Sequence, residues 1–381
     1  RLERLAGDPA MLSDAALESM FSLAYDLQGH GWHLAALGAI LTGAGTNTAE
    51  QLAGRAGVVE RVGEGLTSAE GLSGIRRLAE QAAADTAVLA VLEEGGPKLL
   101  ERVRAVSPGF AAAVQEALSR FGHRGPAECE LASAVFADDP DLVLRTVAKA
   151  AKATPAGGPA GQAPIPRRAR PAVALARWAT AERERDRDAL VRTIGVMRRV
   201  AREQGRRLAE RGILHAPDDV FYLTADELFA PGPDAADTVT RRRGERERLA
   251  AIRMPVAFVA PWEPEPEATP LAPGETLNGV PAAGGKARGP VRIVTPETAD
   301  RLEPGEVFVA QVTDVGYTPL FGHAAAVVTD IGGTMSHAAV VAREFGIPAV
   351  TDTANGTARL VDGMIVEVDG SAGTVVVVAA P

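Results

Sequence analysis

The first two thirds of the chain repeat apolar residues with the period of an α-helix. Leu190, Ile194 and Met197 recur at helical steps, and arginine and glutamate fill the positions between them. The pattern predicts one long amphipathic helix over about 171–212, which Gly212 would end. Shorter helical patterns predict further helices at Ala69–Leu92, Pro97–Val106, Gly109–Phe121 and Pro140–Ala151.

Three stretches interrupt the helical pattern. Asp218–Thr224 predicts a short strand, because apolar and aromatic residues cluster there, and an acidic-led helix is expected after it. Pro155–Pro166 is rich in proline, glycine and alanine, which indicates an exposed loop. Pro261–Gly274 is rich in proline and glutamate, and such a composition predicts an extended, semi-rigid linker.

Beyond this stretch the pattern changes to short β-rich runs bounded by glycine and proline. The runs lie at Val291–Val294, Val307–Val312, Ala325–Thr329, Ile365–Val368 and Thr374–Val378. One helix is predicted among them, at about Ser336–Phe345. We therefore expect a multidomain protein: a mostly α-helical domain over 1–260, a Pro/Glu-rich linker over 261–277 and a compact β/α domain over 278–381.

Composition narrows the classes of function. The formal net charge of −9 argues against a nucleic-acid partner, and the basic run Arg241–Arg243 lies among acidic residues, as on a solvated helix face. No apolar run is long enough to span a bilayer and no signal peptide is visible, so we expect a cytoplasmic protein with no membrane partner. The single Cys129 excludes an internal disulfide and is expected to be structural. A start at Arg1 rather than methionine is expected of a truncated chain.

The segment with the clearest chemical pattern leads from two glycines into a histidine. Gly332 and Gly333 are followed by Thr334, Ser336 and His337, and an alanine-rich helix is predicted to begin there. A helix N-terminus favours an anion, glycines allow close backbone approach, and hydroxyls add donors. An imidazole with its ordinary pKa of about 6.5 is a nucleophile near neutral pH and then a good leaving group. The pattern indicates a phosphoryl-carrying His337. The alternatives are a buried histidine near a helix cap and a Ser336 that serves only as N-cap.

A second group of candidate residues surrounds a predicted turn. His123, Arg124 and Glu128 follow the pair Phe121-Gly122. A guanidinium can bind a transferring phosphoryl group with two donors, and a carboxylate or an imidazole can accept a proton from an attacking hydroxyl. The alternative is a structural turn with an exposed salt bridge. No metal site is expected, because His30 and His33, which lie near one another in the sequence, have no apparent third ligand.

The segment Gly332–Glu344 resembles the phosphohistidine signature of the phosphoenolpyruvate-utilising enzyme superfamily, which includes pyruvate phosphate dikinase, phosphoenolpyruvate synthase and rifampin phosphotransferase. Five further segments are similar to parts of the family's swivelling domain: Gly279–Pro281, Gly289–Val291, Thr313–Leu320, Phe345–Val350 and Val368–Gly370. Three residues depart from the usual pattern, namely Val315, Tyr317 and Asp352. The resemblance covers about 278–378 and implies a swivelling phosphohistidine domain.

The resemblance also implies roles for the residues near the predicted turn. Phe121–Glu128 resembles a motif in the substrate-binding domain of rifampin phosphotransferase, and so does Gly212–Leu223. By that match Arg124 faces the incoming phosphohistidine, and Glu128 positions or deprotonates the acceptor. His123 falls where the family varies. Gly333, Thr334 and Ser336 are the expected phosphate-binding residues.

Neither an ATP-grasp domain nor a phosphoenolpyruvate-binding barrel is recognisable in the sequence, so the domain order is closest to the later part of rifampin phosphotransferase. The resemblance implies a phosphotransferase that moves the β-phosphate of ATP through His337 to a hydroxyl of a small-molecule acceptor. ATP and Mg²⁺ are then expected only through an ATP-grasp domain or subunit. Two alternatives are a phosphorylation-coupled dehydratase or synthase and a phosphocarrier or regulatory module. The identity of the acceptor does not follow from the sequence.

Overall fold

A computed structural model describes residues 7–53, 68–152, 165–250, 252, 261, 268–334 and 336–381. The chain divides into two compact units. The first unit consists of Arg1–Leu37, Cys129–Ala132 and Arg185–Pro266, and the second of Gly38–Glu128, Ser133–Glu184 and Glu267–Pro381. The predicted domain boundaries stay a prediction, and part of the predicted linker, 262–267, lies outside the described residues.

The part of the chain before residue 251 is built from helices, as expected. They are α1 Asp14–Ala53, α2 Ser68–Ala84, α3 Thr86–Glu94, α4 Leu99–Val106, α5 Pro108–Phe121, α6 Pro140–Lys152, α7 Arg170–Glu210, α8 Ala225–Phe229 and α9 Ala235–Ala250. The predicted long helix is confirmed as α7, with Gly212 at a φ of 72° just beyond its end. The predicted helix Ala69–Leu92 is two helices, because Asp85 caps α3 with its carboxylate on the amides of Ala87 and Val88.

Helix α1 has 40 residues, and its glycines explain why its pattern is not strongly amphipathic. A Cβ added at Gly45 would lie 3.0–3.1 Å from atoms of Ala176 in α7, and one at Gly38 would lie 3.1 Å from the Cβ of Arg183. Both glycines therefore allow α1 and α7 to pack closely. Tertiary contact here overrides the low intrinsic helix propensity of glycine.

Of two smaller expectations, the predicted strand is wrong and the structural role of Cys129 stays a prediction. The predicted strand over Asp218–Thr224 is a 3-10 helix, Pro217–Tyr222, which leads into α8. A carboxylate oxygen of Asp219 accepts hydrogen bonds from the amides of His215 and Ala216, at 3.1 and 2.9 Å, and these local bonds favour a turn over a strand. Cys129, expected to be structural, has an exposed side chain. The predicted loop Pro155–Pro166 lies mostly outside the described residues.

The C-terminal part, here called the sheet domain (268–381), confirms the predicted compact β/α domain. Its strands are β1 Thr276–Asn278, β2 Val280–Ala283, β3 Lys286–Ile293, β4 Val307–Ala310, β5 Ala326–Thr329, β6 Ala349–Thr351, β7 Ile365–Asp369 and β8 Thr374–Ala379. Its α-helices are α10 Thr318–Phe321, α11 His337–Phe345 and α12 Gly356–Arg359. The strand order is β1-β8-β7-β3-β4-β5-β6-β2, and the run β3-β4-β5-β6 is parallel.

The central strands are buried on both faces, as continuous apolar runs in a parallel sheet require. On one face Phe308 and Val327 pack with α10 and α11. On the other face Val309 and Val328 join a second core that also contains Leu271. The amide of Leu271 donates to the carbonyl of Arg359, so this end of the predicted linker packs on the sheet domain.

The helical part of the second unit has its own core. Side chains from α2 to α6 form one apolar cluster, in which Leu78, Val103, Val114 and Leu144 are buried. This cluster and the sheet domain belong to the same compact unit. The loop that carries His123, Arg124 and Glu128 leaves the end of α5 and is therefore anchored on this core.

Candidate active site

His337 is the first residue of α11, and Ser336 is the N-cap of that helix. The Ser336 hydroxyl accepts a hydrogen bond from the amide of Ala339, at 3.4 Å, and Gly346 ends the helix in the left-handed region. The predicted helix start is thus confirmed, and the imidazole lies where unsatisfied N–H groups favour an anion. Ser336 as a phosphate ligand stays a prediction.

Sheet topology explains what contacts the imidazole. Strands β4 and β5 are parallel neighbours, so the loops after their carboxyl ends adjoin. One loop leads from β4 to Thr318, and the other leads from β5 to His337. Two hydrogen bonds join the loop starts, from the Asp330 amide to the Ala310 carbonyl and from the Ile331 amide to the Gln311 carbonyl.

Thr318 is the side chain that this arrangement brings to the histidine. Its hydroxyl lies 3.0 Å from Nε2 of His337, and its side chain is buried. The sequence analysis marked Thr313–Leu320 as similar to a family loop but did not single out Thr318. Only the adjacency of two strands reveals the contact, because the two residues are 19 positions apart.

The loop that holds Thr318 is itself fixed at both ends. The carboxylate of Asp314 accepts the amide of Gly316 at 2.9 Å, which caps the short 3-10 helix Val315–Tyr317. The ring of Tyr317 packs edge-on against Phe308, with centroids 5.8 Å apart. Burial raises the pKa of the Tyr317 phenol, and the charge of Asp314 acts in the same direction. The phenol therefore remains neutral.

Arg343 holds the loop before His337. One guanidinium nitrogen, Nη2, donates to the carbonyl of Thr334, and the other, Nη1, donates to the carbonyl of Ala282, both at 2.7 Å. The two nitrogens of the guanidinium therefore connect the loop of Gly332 and Gly333 to strand β2. The sequence analysis assigned no role to Arg343.

The two glycines of the loop differ in their surroundings. A Cβ at Gly332 would lie 3.1 Å from the Ser336 hydroxyl and 3.3 Å from the Cβ of Thr351. A Cβ at Gly333 would enter open space. Gly332 is therefore needed for packing, whereas the backbone of Gly333 is accessible to an approaching group. Thr334 is half-buried beside them, and Met335 lies outside the described residues.

Arg124 and Glu128 form a buried ion pair. Nη1 of Arg124 lies 2.9 and 3.1 Å from the two carboxylate oxygens of Glu128, and the two side chains are 7% and 0% exposed. The backbone of Arg124 is fixed as well, since its amide donates to the Phe121 carbonyl and its carbonyl accepts the Phe136 amide. An exposed salt bridge, the alternative from the sequence, is therefore wrong. His123 is half-buried in the same loop.

The loop that carries Thr318 meets the loop of Arg124 through backbone. A Cβ added at Gly316 would lie 1.8 Å from the carbonyl oxygen of Gly125, so the two glycine backbones are in direct contact. Gly316 is two residues from Thr318, and Gly125 adjoins Arg124. The structure thus brings together residues that the sequence separates by about two hundred positions.

His323, expected in a helix without a role, lies in the turn after α10. It is buried, and burial together with the ammonium of Lys149 lowers the pKa of its imidazole to about 4. The backbone of Leu302 and the carboxylate of Glu306 act in the opposite direction. This imidazole is neutral at pH 7.

Two features of the described residues concern metal binding and membrane crossing. No group of three or more His, Cys, Asp or Glu side chains in those parts of the chain could hold a metal ion. Among the described helices, none combines the length and apolar character that crossing a membrane requires.

Comparison with known families adds two matches. Residues 302–373 match the family described as PEP-utilising enzyme, mobile domain, and this range includes Thr318 and His337. Residues 27–204 match the family described as rifampicin phosphotransferase fourth domain, and this range includes Arg124 and Glu128. The resemblance to the phosphoenolpyruvate-utilising enzymes and to rifampicin phosphotransferase is thereby confirmed.

Individual relatives agree with these matches. An uncharacterised protein of Mycobacterium tuberculosis is 48% identical over 380 residues, which is 99% of this chain and 44% of that protein. The prodigiosin synthesizing transferase PigC of Serratia marcescens is 36% identical over 207 residues, 51% of this chain and 23% of that protein. Rifampicin phosphotransferase of Streptomyces sviceus is 34% identical over 182 residues, 45% of this chain and 20% of that protein. The chain spans less than half the length of these relatives.

Proposed function

We propose that His337 carries a phosphoryl group from the β-phosphate of ATP, supplied by an ATP-grasp domain or subunit, to a hydroxyl of a small-molecule acceptor bound by the helical domain. The observation that carries the proposal is the contact between two loops at Gly316 and Gly125. One loop places Thr318 against His337 at the N-terminus of α11, and the other carries the buried Arg124–Glu128 pair. Both family matches support it.

Thr318 prepares the imidazole for phosphorylation. Its hydroxyl donates to the lone pair of Nε2, which leaves the proton of a neutral ring on Nδ1 and holds the ring in one orientation. When Nε2 attacks the β-phosphorus, the oxygen–phosphorus bond to AMP breaks and AMP leaves. Water then cleaves the bond to the γ-phosphate, which leaves as inorganic phosphate, so one phosphoryl group remains on Nε2 and the Thr318 hydroxyl turns to donate to one of its oxygens. The N–H groups at the start of α11 offset the added negative charge. ATP and Mg²⁺ belong to the ATP-grasp part of this reaction.

Transfer to the acceptor reverses the bond changes at His337. The acceptor oxygen forms a bond to phosphorus, the Nε2–phosphorus bond breaks, and Nε2 recovers its lone pair. Arg124 stabilises the charge on the phosphoryl oxygens as the bonds exchange. Glu128 is fully buried and paired with Arg124, so we assign it the orientation of that guanidinium. His123, half-buried in the same loop, is then the candidate that accepts the acceptor's proton.

One imidazole cannot reach an ATP site and an acceptor site without movement. We therefore include a swing of the sheet domain on the predicted linker 261–277. Shortening the part of this segment that precedes Leu271 by several residues is expected to reduce turnover more than it reduces stability, because Leu271 and β1 pack within the sheet domain.

The test is mass spectrometry under non-acidic conditions, after incubation with ATP, Mg²⁺ and the ATP-grasp module. One phosphoryl group mapped to His337, and lost in His337→Ala, is the expected result. His33→Ala is the matched control, because His33 lies exposed on α1 and has no place in the site. Unchanged phosphorylation of His337→Ala would refute the carrier role.

A second variant separates the two half-reactions. Arg124→Ala is expected to leave charging of His337 intact and to slow its dephosphorylation by acceptor roughly 100-fold or more, the usual effect of removing one charge-stabilising donor. Loss of charging instead would assign Arg124 to the other half-reaction or to the fold.

The runner-up is a phosphorylation-coupled synthase or dehydratase, in which the phosphorylated acceptor reacts further. The similarity to a relative named as a synthesizing transferase supports this alternative. The mass of the released product distinguishes the two, since a kinase adds one phosphoryl group to its acceptor and a synthase releases phosphate and joins or dehydrates the acceptor.

A further inference from the structure

We propose that Gly316 is the docking residue of the sheet domain, and that the Gly125–Pro126 peptide is the surface that receives it. These three residues are called the docking seat below. A side chain at position 316 would exclude the sheet domain from the Arg124 loop. The inference rests on the proposed function only for its consequence in catalysis.

The geometry of Gly316 points to a contact between surfaces rather than to a need for backbone freedom. The Cβ of any other residue at this position would lie 1.8 Å from the Gly125 carbonyl oxygen, 2.1 Å from its carbonyl carbon and 2.6 Å from the Pro126 nitrogen. Gly316 is not among the described glycines with positive φ, so its backbone conformation is open to an alanine. Glycine is therefore required here by the approaching peptide.

The three atoms nearest that Cβ all belong to the helical part of the unit. None is a neighbour within the sheet domain. The closest contacts of an alanine at 316 would therefore be with the helical part, and they would arise when the sheet domain is docked. Gly125 is different, because its Cβ would lie 2.8 Å from the Ala134 carbonyl oxygen and 2.9 Å from the Cα of Val135 in its own loop.

Charged contacts to one side of the docking seat hold the docked position. Nζ of Lys149, on α6, donates to the carbonyls of Leu302 and Asp300 at 2.5 and 2.7 Å, and lies 3.0 Å from a carboxylate oxygen of Glu303. Three oxygens around one ammonium make a directional, charge-assisted contact. The Lys149 side chain is only 17% exposed, so solvent weakens the contact less than it would on an open surface.

A further contact joins α2 to the end of α11. The guanidinium carbon of Arg76 lies 5.9 Å from the centroid of the Phe345 ring, within the range of a cation–π interaction. Phe345 is the last residue of α11, which begins at His337, whereas Gly316 of the docking seat lies two residues before Thr318, the side chain that contacts His337. The backbone contact at Gly316, the Lys149 ammonium and the Arg76–Phe345 contact together favour one orientation of His337 toward the Arg124 loop.

Distance measurement between two spin labels tests the docking seat without any acceptor. Gln115 on α5 and Glu367 on β7 are exposed, and each is replaced by a labelled cysteine in a Cys129→Ser background. The parent should show one narrow distance distribution. Gly316→Ala should broaden it and lower the docked-to-undocked ratio at least tenfold. Gly109→Ala is the matched control, since a Cβ there meets nothing within 4 Å, and it should keep the parent distribution.

Lys149→Met supplies a second, independent variant. It removes the ammonium while retaining much of the apolar stem, and it should lower the docked ratio about tenfold. An unchanged narrow distribution in a folded Gly316→Ala chain would overturn the proposal. If Gly316→Ala fails to fold, an unchanged distribution in Lys149→Met overturns the docked arrangement instead.

Charging of His337 distinguishes this inference from the proposed function. With ATP, Mg²⁺ and the ATP-grasp module, Gly316→Ala should be phosphorylated at the parent rate, because the seat faces only the acceptor half. Lost charging in Gly316→Ala alone would show that the seat also serves the ATP-grasp module and would overturn the assigned selectivity. If neither the parent nor the variant were phosphorylated at His337, the proposed function would be contradicted. The distance measurement would still decide whether the docking seat exists, because it does not depend on phosphorylation.

Discussion

Replacing Glu128 by glutamine is the most direct test of the energetics around the candidate site. The change preserves the shape of the side chain and removes its charge. In the parent both carboxylate oxygens lie within 3.1 Å of one Arg124 nitrogen, and neither side chain is appreciably exposed. The variant therefore removes the carboxylate charge that lies beside a buried guanidinium.

The expected cost is large because solvent cannot compensate the remaining charge. Removing one partner of a buried ion pair typically destabilises a protein by about 3–5 kcal/mol, a substantial share of the roughly 5–15 kcal/mol that stabilises a native domain. A loss of about 4 kcal/mol lowers the folding equilibrium constant roughly 1000-fold. Replacing both partners by uncharged residues removes both buried charges, so Arg124→Met combined with Glu128→Gln should recover part of the loss.

Urea unfolding followed by circular dichroism measures the four members of this double-mutant cycle. We expect the double variant to be more stable than the sum of the single effects by about 2 kcal/mol or more. The control is the exposed pair Glu116–Arg120 on α5, whose partners lie 3.3 Å apart; Glu116→Gln should cost at most about 0.5 kcal/mol. A cost below about 1 kcal/mol for Glu128→Gln, or effects that simply add, would refute the buried-pair reasoning.

Three further predictions concern the sheet domain. In the folded chain the pKa of His323 is about 4, below the ordinary 6.5, so protonation of this imidazole favours the unfolded state. The free energy of unfolding should therefore decline by about 3 kcal/mol between pH 6.5 and pH 4. In urea unfolding at several pH values, His323→Leu should remove this decline. Thr318→Val should slow phosphorylation of His337 about tenfold in timed mass spectrometry, whereas an unchanged rate would assign the hydroxyl to packing alone. Arg343→Lys should destabilise the chain by about 2 kcal/mol in urea unfolding, because a single ammonium nitrogen cannot occupy both positions from which the two guanidinium nitrogens reach the Ala282 and Thr334 carbonyls; equal stability would contradict the role assigned to the guanidinium.

Local patterns in the sequence were sufficient for the elements that carry the chemistry. A hydroxyl residue before an alanine-rich run predicts a capped helix, and Ser336 is the N-cap of α11. β-rich runs bounded by glycine and proline predict β4, β5, β7 and β8 to within two residues, whereas the run Val291–Val294 covers only the end of β3 and no run was predicted at β6. Periodicity likewise predicted α7. These features depend on residues a few positions apart, so a single sequence is enough to recognise them.

Contacts between distant residues required the tertiary structure. Thr318 reaches His337 because β4 and β5 are adjacent and parallel, and neither residue's neighbours in sequence encode that pairing. Glycine has a low helix propensity, but Gly38 and Gly45 of α1 allow close packing against α7. The segment predicted as a strand is a 3-10 helix, because Asp219 accepts hydrogen bonds from the amides of His215 and Ala216.

The sequence by itself determined where the helix of His337 begins, because capping and periodicity are encoded locally, and its pattern predicts that this side chain carries a phosphoryl group. Only the tertiary structure decided that Arg124 and Glu128 are buried rather than exposed, and that the bare backbone of Gly316 rests on Gly125. Desolvation and steric fit arise when segments far apart in the chain pack together. They are therefore properties of the fold and not of any one segment.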